Sequence, residues 1–85
     1  MKVLVHPRVH KRYPEIEDED VIIAFRATIR FIRRANGQGV AVGLDGRGRL
    51  LEMVFAISES DDEFLVFHAF TPPTSGVLRE LGLSR

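Results

Sequence analysis

Between Arg49 and Phe70 the chain reads as two apolar runs separated by a short polar linker. Residues 49–57 and 63–70 are rich in β-branched and aromatic side chains, and polar residues bound each run, so both are predicted strands. Ser58-Glu59-Ser60-Asp61-Asp62 is short enough to join them as an antiparallel hairpin. Side chains alternate along a strand. Leu50, Glu52, Val54 and Ala56 then share one face of the first strand, and Phe64, Val66, His68 and Phe70 share one face of the second. A turn centred on Ser60 sets Glu52 opposite His68, a pairing that a slip of one residue destroys. Glu52 and His68 are the polar interruptions in these runs.

Upstream, Asn36-Gly37 is a strong hairpin signal between strands predicted at 30–35 and 39–44. Asp45-Gly46-Arg47-Gly48 is a further tight turn. Earlier still, Val21, Ile22, Phe25, Ile29 and Ile32 recur at spacings of three and four, the stripe of a helix over 17–28. Glu17, Asp18, Glu19 and Asp20 fill its first turn, where negative charge complements the helix dipole. His6-Pro7 opens a shorter helix over 7–13, which Pro14 terminates. Lys2 to Val5 is either a short strand or an extended lead-in. After the last strand, Thr71-Pro72-Pro73 breaks the pattern. Thr74 caps a final helix over 74–81, stopped by Gly82. The expected fold is α+β in one domain spanning 1–85: two N-terminal helices, a four-stranded antiparallel meander and a C-terminal helix. The helices are expected on one sheet face, leaving the other as a binding surface.

The 85 residues suffice for one modest core, and 45% hydrophobic with 28% charged content is that of a folded domain. The absence of cysteine excludes disulfides and thiolate zinc sites. No apolar run is long enough to cross a membrane, and the apolar part of the N-terminus is too short for a signal peptide, so a cytoplasmic location is expected. The formal net charge is zero, but it is unevenly distributed. Lys2, Arg8, Lys11 and Arg12 come without an acid. An acidic run follows at 15–20. Arg26, Arg30, Arg33, Arg34, Arg47 and Arg49 then face only Asp45. Arginine presents a planar fork suited to phosphate, so Arg30, Arg33, Arg34 and Arg47 are candidate RNA contacts.

No phosphate-binding glycine loop, nucleophile elbow or paired-histidine zinc motif is present. Adjacent carboxylates on a helix point in different directions, so neither a metal nor a cofactor is expected. His6, His10 and Tyr13 share one face of the first helix, which either lines a cleft or meets water.

His6 to Arg12, Ile16, Asp20-Val21 and Ala24, then Asp45 to Phe55 and Val66 to Pro72, follow one another in an order that resembles the BrnT-like toxins of the RelE/ParE superfamily. The resemblance implies a compact α+β ribonuclease of a type II toxin-antitoxin system, silenced by a cognate antitoxin protein and inhibiting translation by cutting RNA. That family often carries Ile-Ser-Ala-Arg on its last strand, where this chain has Phe67-His68-Ala69-Phe70. Arg49 fits the family's first-strand arginine. Metal-free RNA cleavage needs a base for the 2′-hydroxyl, a cation for the phosphorane and an acid for the leaving oxygen. His68 or Glu52 is the candidate base, Arg49 or Arg47 the clamp, and His10 or His6 the acid. The alternative is a non-catalytic protein-binding module. The aromatic surplus of Phe55, Phe64, Phe67 and Phe70 suggests a surface for a protein partner or a homodimer.

Overall fold

The computed structural model describes residues 1–84. The elements run β1 (Lys2–Val5), α1 (Arg8–Arg12), α2 (Asp18–Arg26), β2 (Thr28–Arg33), β3 (Gly39–Leu44), β4 (Leu50–Ile57), β5 (Glu63–Phe70) and α3 (Ser75–Glu80). The strands form one mixed sheet in the order β1-β5-β4-β3-β2. Strands β2 to β5 are the expected antiparallel meander. The fifth strand corrects it: β1 pairs parallel to β5, Val3 with Phe64 and Val5 with Val66. Four residues carry too little periodicity to declare a strand, but Val3 and Val5 pack on the core and β1 covers an edge that would otherwise stand open.

Helix α2 is shorter than its apolar stripe suggested. Its first turn is fixed by the Asp20 carboxylate, which accepts the Glu17 N–H at 2.8 Å. It ends at Arg26, and Ile29 and Ile32 belong to β2. Val21, Ala24 and Phe25 pack onto Ala41, Leu51, Met53 and Phe55. Gly43 allows this approach, because a Cβ there would collide with the Ala24 carbonyl.

The helices do not share one face. Val40 and Val42 alternate with Ala41 and form a second cluster with Val77 of α3 and with Leu81, its C-cap. The face expected to be free is therefore covered by α3 over β3 and its neighbours. The aromatic surplus is also largely internal. Phe25 meets Phe55 at 4.8 Å and Phe64 at 5.3 Å between ring centroids, and Tyr13 meets Phe70 at 5.0 Å.

A bulge in β5 changes which residues share a face. Phe55 pairs with Val66, whereas Val54 pairs with His68, leaving Phe67 as the extra residue. Phe64 and Val66 join the α2-side core, and so does Ala69, so the alternation reverses between them. The expected common face of Phe64, Val66, His68 and Phe70 does not form.

Candidate functional site

The bulge also alters the register around Glu52. Its partner across the strands is Phe70, and that of His68 is Val54. Glu52 and His68 are diagonal neighbours, and their side chains still meet: His68 Nε2 lies 2.8 Å from Glu52 Oε2. Glu52 is buried, with 4% of its surface exposed. Its other oxygen, Oε1, accepts the Thr74 N–H at 2.7 Å and the Thr74 hydroxyl at 2.9 Å. Thr74 caps α3 and accepts from the Val77 N–H. One carboxylate thus ties the start of α3 to the sheet and orients an imidazole.

An ionised carboxylate only accepts hydrogen bonds. His68 Nε2 is therefore the donor, and in the neutral imidazole Nδ1 keeps the lone pair. Nδ1 has no hydrogen-bond partner among the described residues, and no buried polar side-chain atom among them lacks one, so Nδ1 is open to solvent. The His68 side chain is 30% exposed.

His68 lines a cleft of about 120 Å³ with Phe67 and Ala69 of β5 and with Arg8, Val9, Arg12 and Tyr13. Pairing with β1 ends where the His6 N–H bonds the Val66 carbonyl at 2.8 Å, and α1 then passes beside the rest of β5. Buried Val9 fixes the rotation of α1. Arg8 and Arg12 are one turn apart on its exposed side. Neither guanidinium makes an ion pair or hydrogen bond among the described residues. One cleft is thus lined by an oriented imidazole and by two arginines that have no partner among the described residues.

Arg49 lies elsewhere. Its Nε donates to Asp45 Oδ2 at 2.7 Å, Nη1 to the Glu15 carbonyl at 3.0 Å, and Nη2 to Asp20 Oδ2 at 3.0 Å. These contacts hold the turn before β4 against the start of α2, on the sheet face opposite His68. Asp45 Oδ1 also accepts the N–H groups of Arg47 and Arg49 at 2.9 and 2.7 Å. Burial pushes the Asp45 carboxyl up, but these donors outweigh it and hold the group below its ordinary range. The hydrogen bond to Asp45 raises the Arg49 guanidinium in turn. Arg47 pairs with Asp20 at 3.4 Å.

His10 is on α1 but turns to the Ile16 carbonyl at 3.0 Å, near Glu17, and does not line the His68 cleft. Arg34 forms a two-pronged pair with Glu80 at 2.7 and 3.0 Å. That pair lowers the Glu80 carboxyl and raises the Arg34 guanidinium. Arg30 donates to the Leu81 carbonyl at 3.0 Å. Arg33 is exposed on β2. Among the predicted site residues, then, the structure brings Glu52 and His68 together, gathers Arg47 and Arg49 at Asp20 and Asp45, and leaves the rest apart from that pair. Arg8 and Arg12 were legible only as basic residues lacking acids; their spacing of four was the unused signal. No group of acids and histidines able to hold a metal ion occurs among the described residues, and no helix is long and apolar enough to cross a membrane. Comparison of the chain with protein-family models, with curated proteins and with solved structures gives no significant match.

Proposed function

We propose that the protein is a metal-independent endoribonuclease of the BrnT-like toxin kind, held in check by an antitoxin protein, and that His68 is its base. The observation that carries this reading is the hydrogen bond between His68 Nε2 and buried Glu52, which in the neutral imidazole leaves Nδ1 as acceptor on a residue that lines one cleft with Arg8 and Arg12. In this mechanism Nδ1 takes the proton of an RNA 2′-hydroxyl as that oxygen attacks the adjacent phosphorus. Arg8 and Arg12 hold the non-bridging oxygens, whose charge grows in the phosphorane. The bond to the 5′-oxygen breaks, and that oxygen takes a proton from solvent or from the Tyr13 hydroxyl at the same cleft. The products are a 2′,3′-cyclic phosphate and a 5′-hydroxyl. Glu52 positions the ring.

Purified protein incubated with single-stranded RNA tests this. Wild type is expected to leave 5′-hydroxyl ends, and His68→Ala to be at least about 100-fold slower while keeping its circular dichroism and cooperative melt. Arg8→Ala and Arg12→Ala should each weaken RNA binding and lower the slope of log affinity against log salt by about one. A folded His68→Ala that cuts at the wild-type rate overturns the role of His68. Wild type that neither binds nor cuts RNA at low salt leaves the protein-binding module as the reading.

A further inference from the structure

At the edge of the sheet away from β1 and β5, strand β2 has no partner on its outer side. Its pairing with β3 continues into the turn, where the Arg34 N–H bonds the Gln38 carbonyl at 2.7 Å. In an antiparallel ladder, inward and outward backbone groups alternate. Residues 30, 32 and 34 therefore bond β3, and Phe31 and Arg33 present their N–H and C=O groups outward. Their side chains fall on the α2 side, opposite to Arg30 and Ile32. Phe31 is 64% exposed and Ile29 59% exposed, an apolar edge that proteins ordinarily blunt or cover. Phe31 also borders the largely apolar groove that Phe25, Phe55, Ile57 and Phe64 line, with a volume of about 280 Å³.

The charge around this edge has one sign. No acid occurs between Asp20 and Asp45. Arg34 is neutralised by Glu80, and Arg30 is engaged by the Leu81 carbonyl at the C-cap of α3. Arg26, at the groove, and Arg33, on the strand, have no ion-pair partner among the described residues. A second copy of the chain would bring the same arginines against each other. We propose that β2 is a docking edge for an extended protein segment that carries apolar and acidic side chains in turn along one face, so that both meet the α2 side, where Phe31 and Arg33 lie. The segment adds as a sixth strand. Its backbone pairs with Phe31 and Arg33, its apolar residues cover Phe31 and enter the groove, and its carboxylates meet Arg26 and Arg33. This surface is at the other edge of the sheet from the His68 cleft and is independent of the RNA reading.

The probe is a fluorescent synthetic peptide of about nine residues in which valine and glutamate take turns along one face and threonine fills the other, since a strand of that length spans β2. A second peptide has lysine in place of glutamate. Anisotropy titration should show the glutamate peptide binding and the lysine peptide not. Binding should weaken at least about tenfold in Arg33→Glu and in Phe31→Ser, two exposed substitutions that leave the fold intact by circular dichroism. Amide exchange should slow at Phe31 and Arg33 when the glutamate peptide is present. Equal binding of both peptides, or binding without protection of these two amides, overturns the proposal. So does a concentration-dependent dimer that Phe31→Ser dissociates, since a second copy would then occupy the edge.

Discussion

Replacing Glu52 separates its two duties. Its carboxylate accepts three hydrogen bonds, two from Thr74 and one from His68. Bonds to a charged acceptor contribute about 1.5–3 kcal/mol each. Thr74 is exposed and His68 partly so, and water recovers some of the lost interaction when the acceptor is removed. Glu52→Ala should therefore destabilise the fold by about 3 kcal/mol. That is a large share of the roughly 4–13 kcal/mol expected for a chain of 85 residues. Glu52→Gln keeps Oε1 for Thr74 and should cost about 1 kcal/mol. Its amide nitrogen donates to His68 Nε2, which moves the ring proton to Nδ1 and removes the outward lone pair. In hydrolase triads a reversal of this kind lowers kcat roughly 10⁴-fold. Urea denaturation followed by circular dichroism measures the first effect. With a slope near 1 kcal/mol/M, the midpoint should fall by about 3 M in the alanine variant and about 1 M in the glutamine variant. RNA cleavage by the glutamine variant, assayed well below its midpoint, measures the second. An alanine variant that loses less than about 1 kcal/mol would refute the anchoring of α3. A glutamine variant that cuts as wild type does would refute the tautomer argument.

Asp45 is held below its ordinary range by Arg49 and the turn amides, so its charge stabilises the fold above the unfolded value of about 3.9, and that contribution is lost as pH falls through the lower folded value. Asp45→Asn should therefore be about 2 kcal/mol less stable than wild type at neutral pH, with the gap narrowing in acid; melts that keep a constant gap across this window would contradict it. Gly43→Ala should destabilise by about 3 kcal/mol, because the Ala24 carbonyl it would strike is backbone and has no rotamer in which to retreat. Gly46→Ala, whose new carbon would meet only Ile23 Cδ1 at 3.4 Å, is the control and should melt as wild type.

The meander was legible because its signals are local. Asn36-Gly37 and the Asp45 turn set the hairpins, and the strands at 39–44 and 63–70 have the bounds expected of them. What escaped depends on distance. Residues 2–5 become a strand only because β5 offers an edge. The stripe through Ile29 and Ile32 has helical spacing, yet those residues are strand in the fold, where pairing with β3 overrides periodicity. The side chosen by α3 follows from Val40 and Val42, apolar on a strand whose alternate residue Ala41 is apolar too, a pattern compatible with burial on both faces. The contact of Glu52 with His68 was expected from a direct pairing and forms diagonally, because a bulge cannot be read from alternation alone. Arg49 looked free in sequence, and the acids that engage it come from positions 20 and 45.

The parallel seam between β1 and β5 joins the first strand of the described chain to its last, and the cleft sits at the end of that seam. Arg8 and Arg12 leave the ribosome long before His68 does. While β5 is still untranslated, α1 has no surface to rest on and the arginines have no imidazole beside them. A chain interrupted before residue 63 carries both cations and has no site. The cleft therefore exists only once β5 has taken its place beside β1.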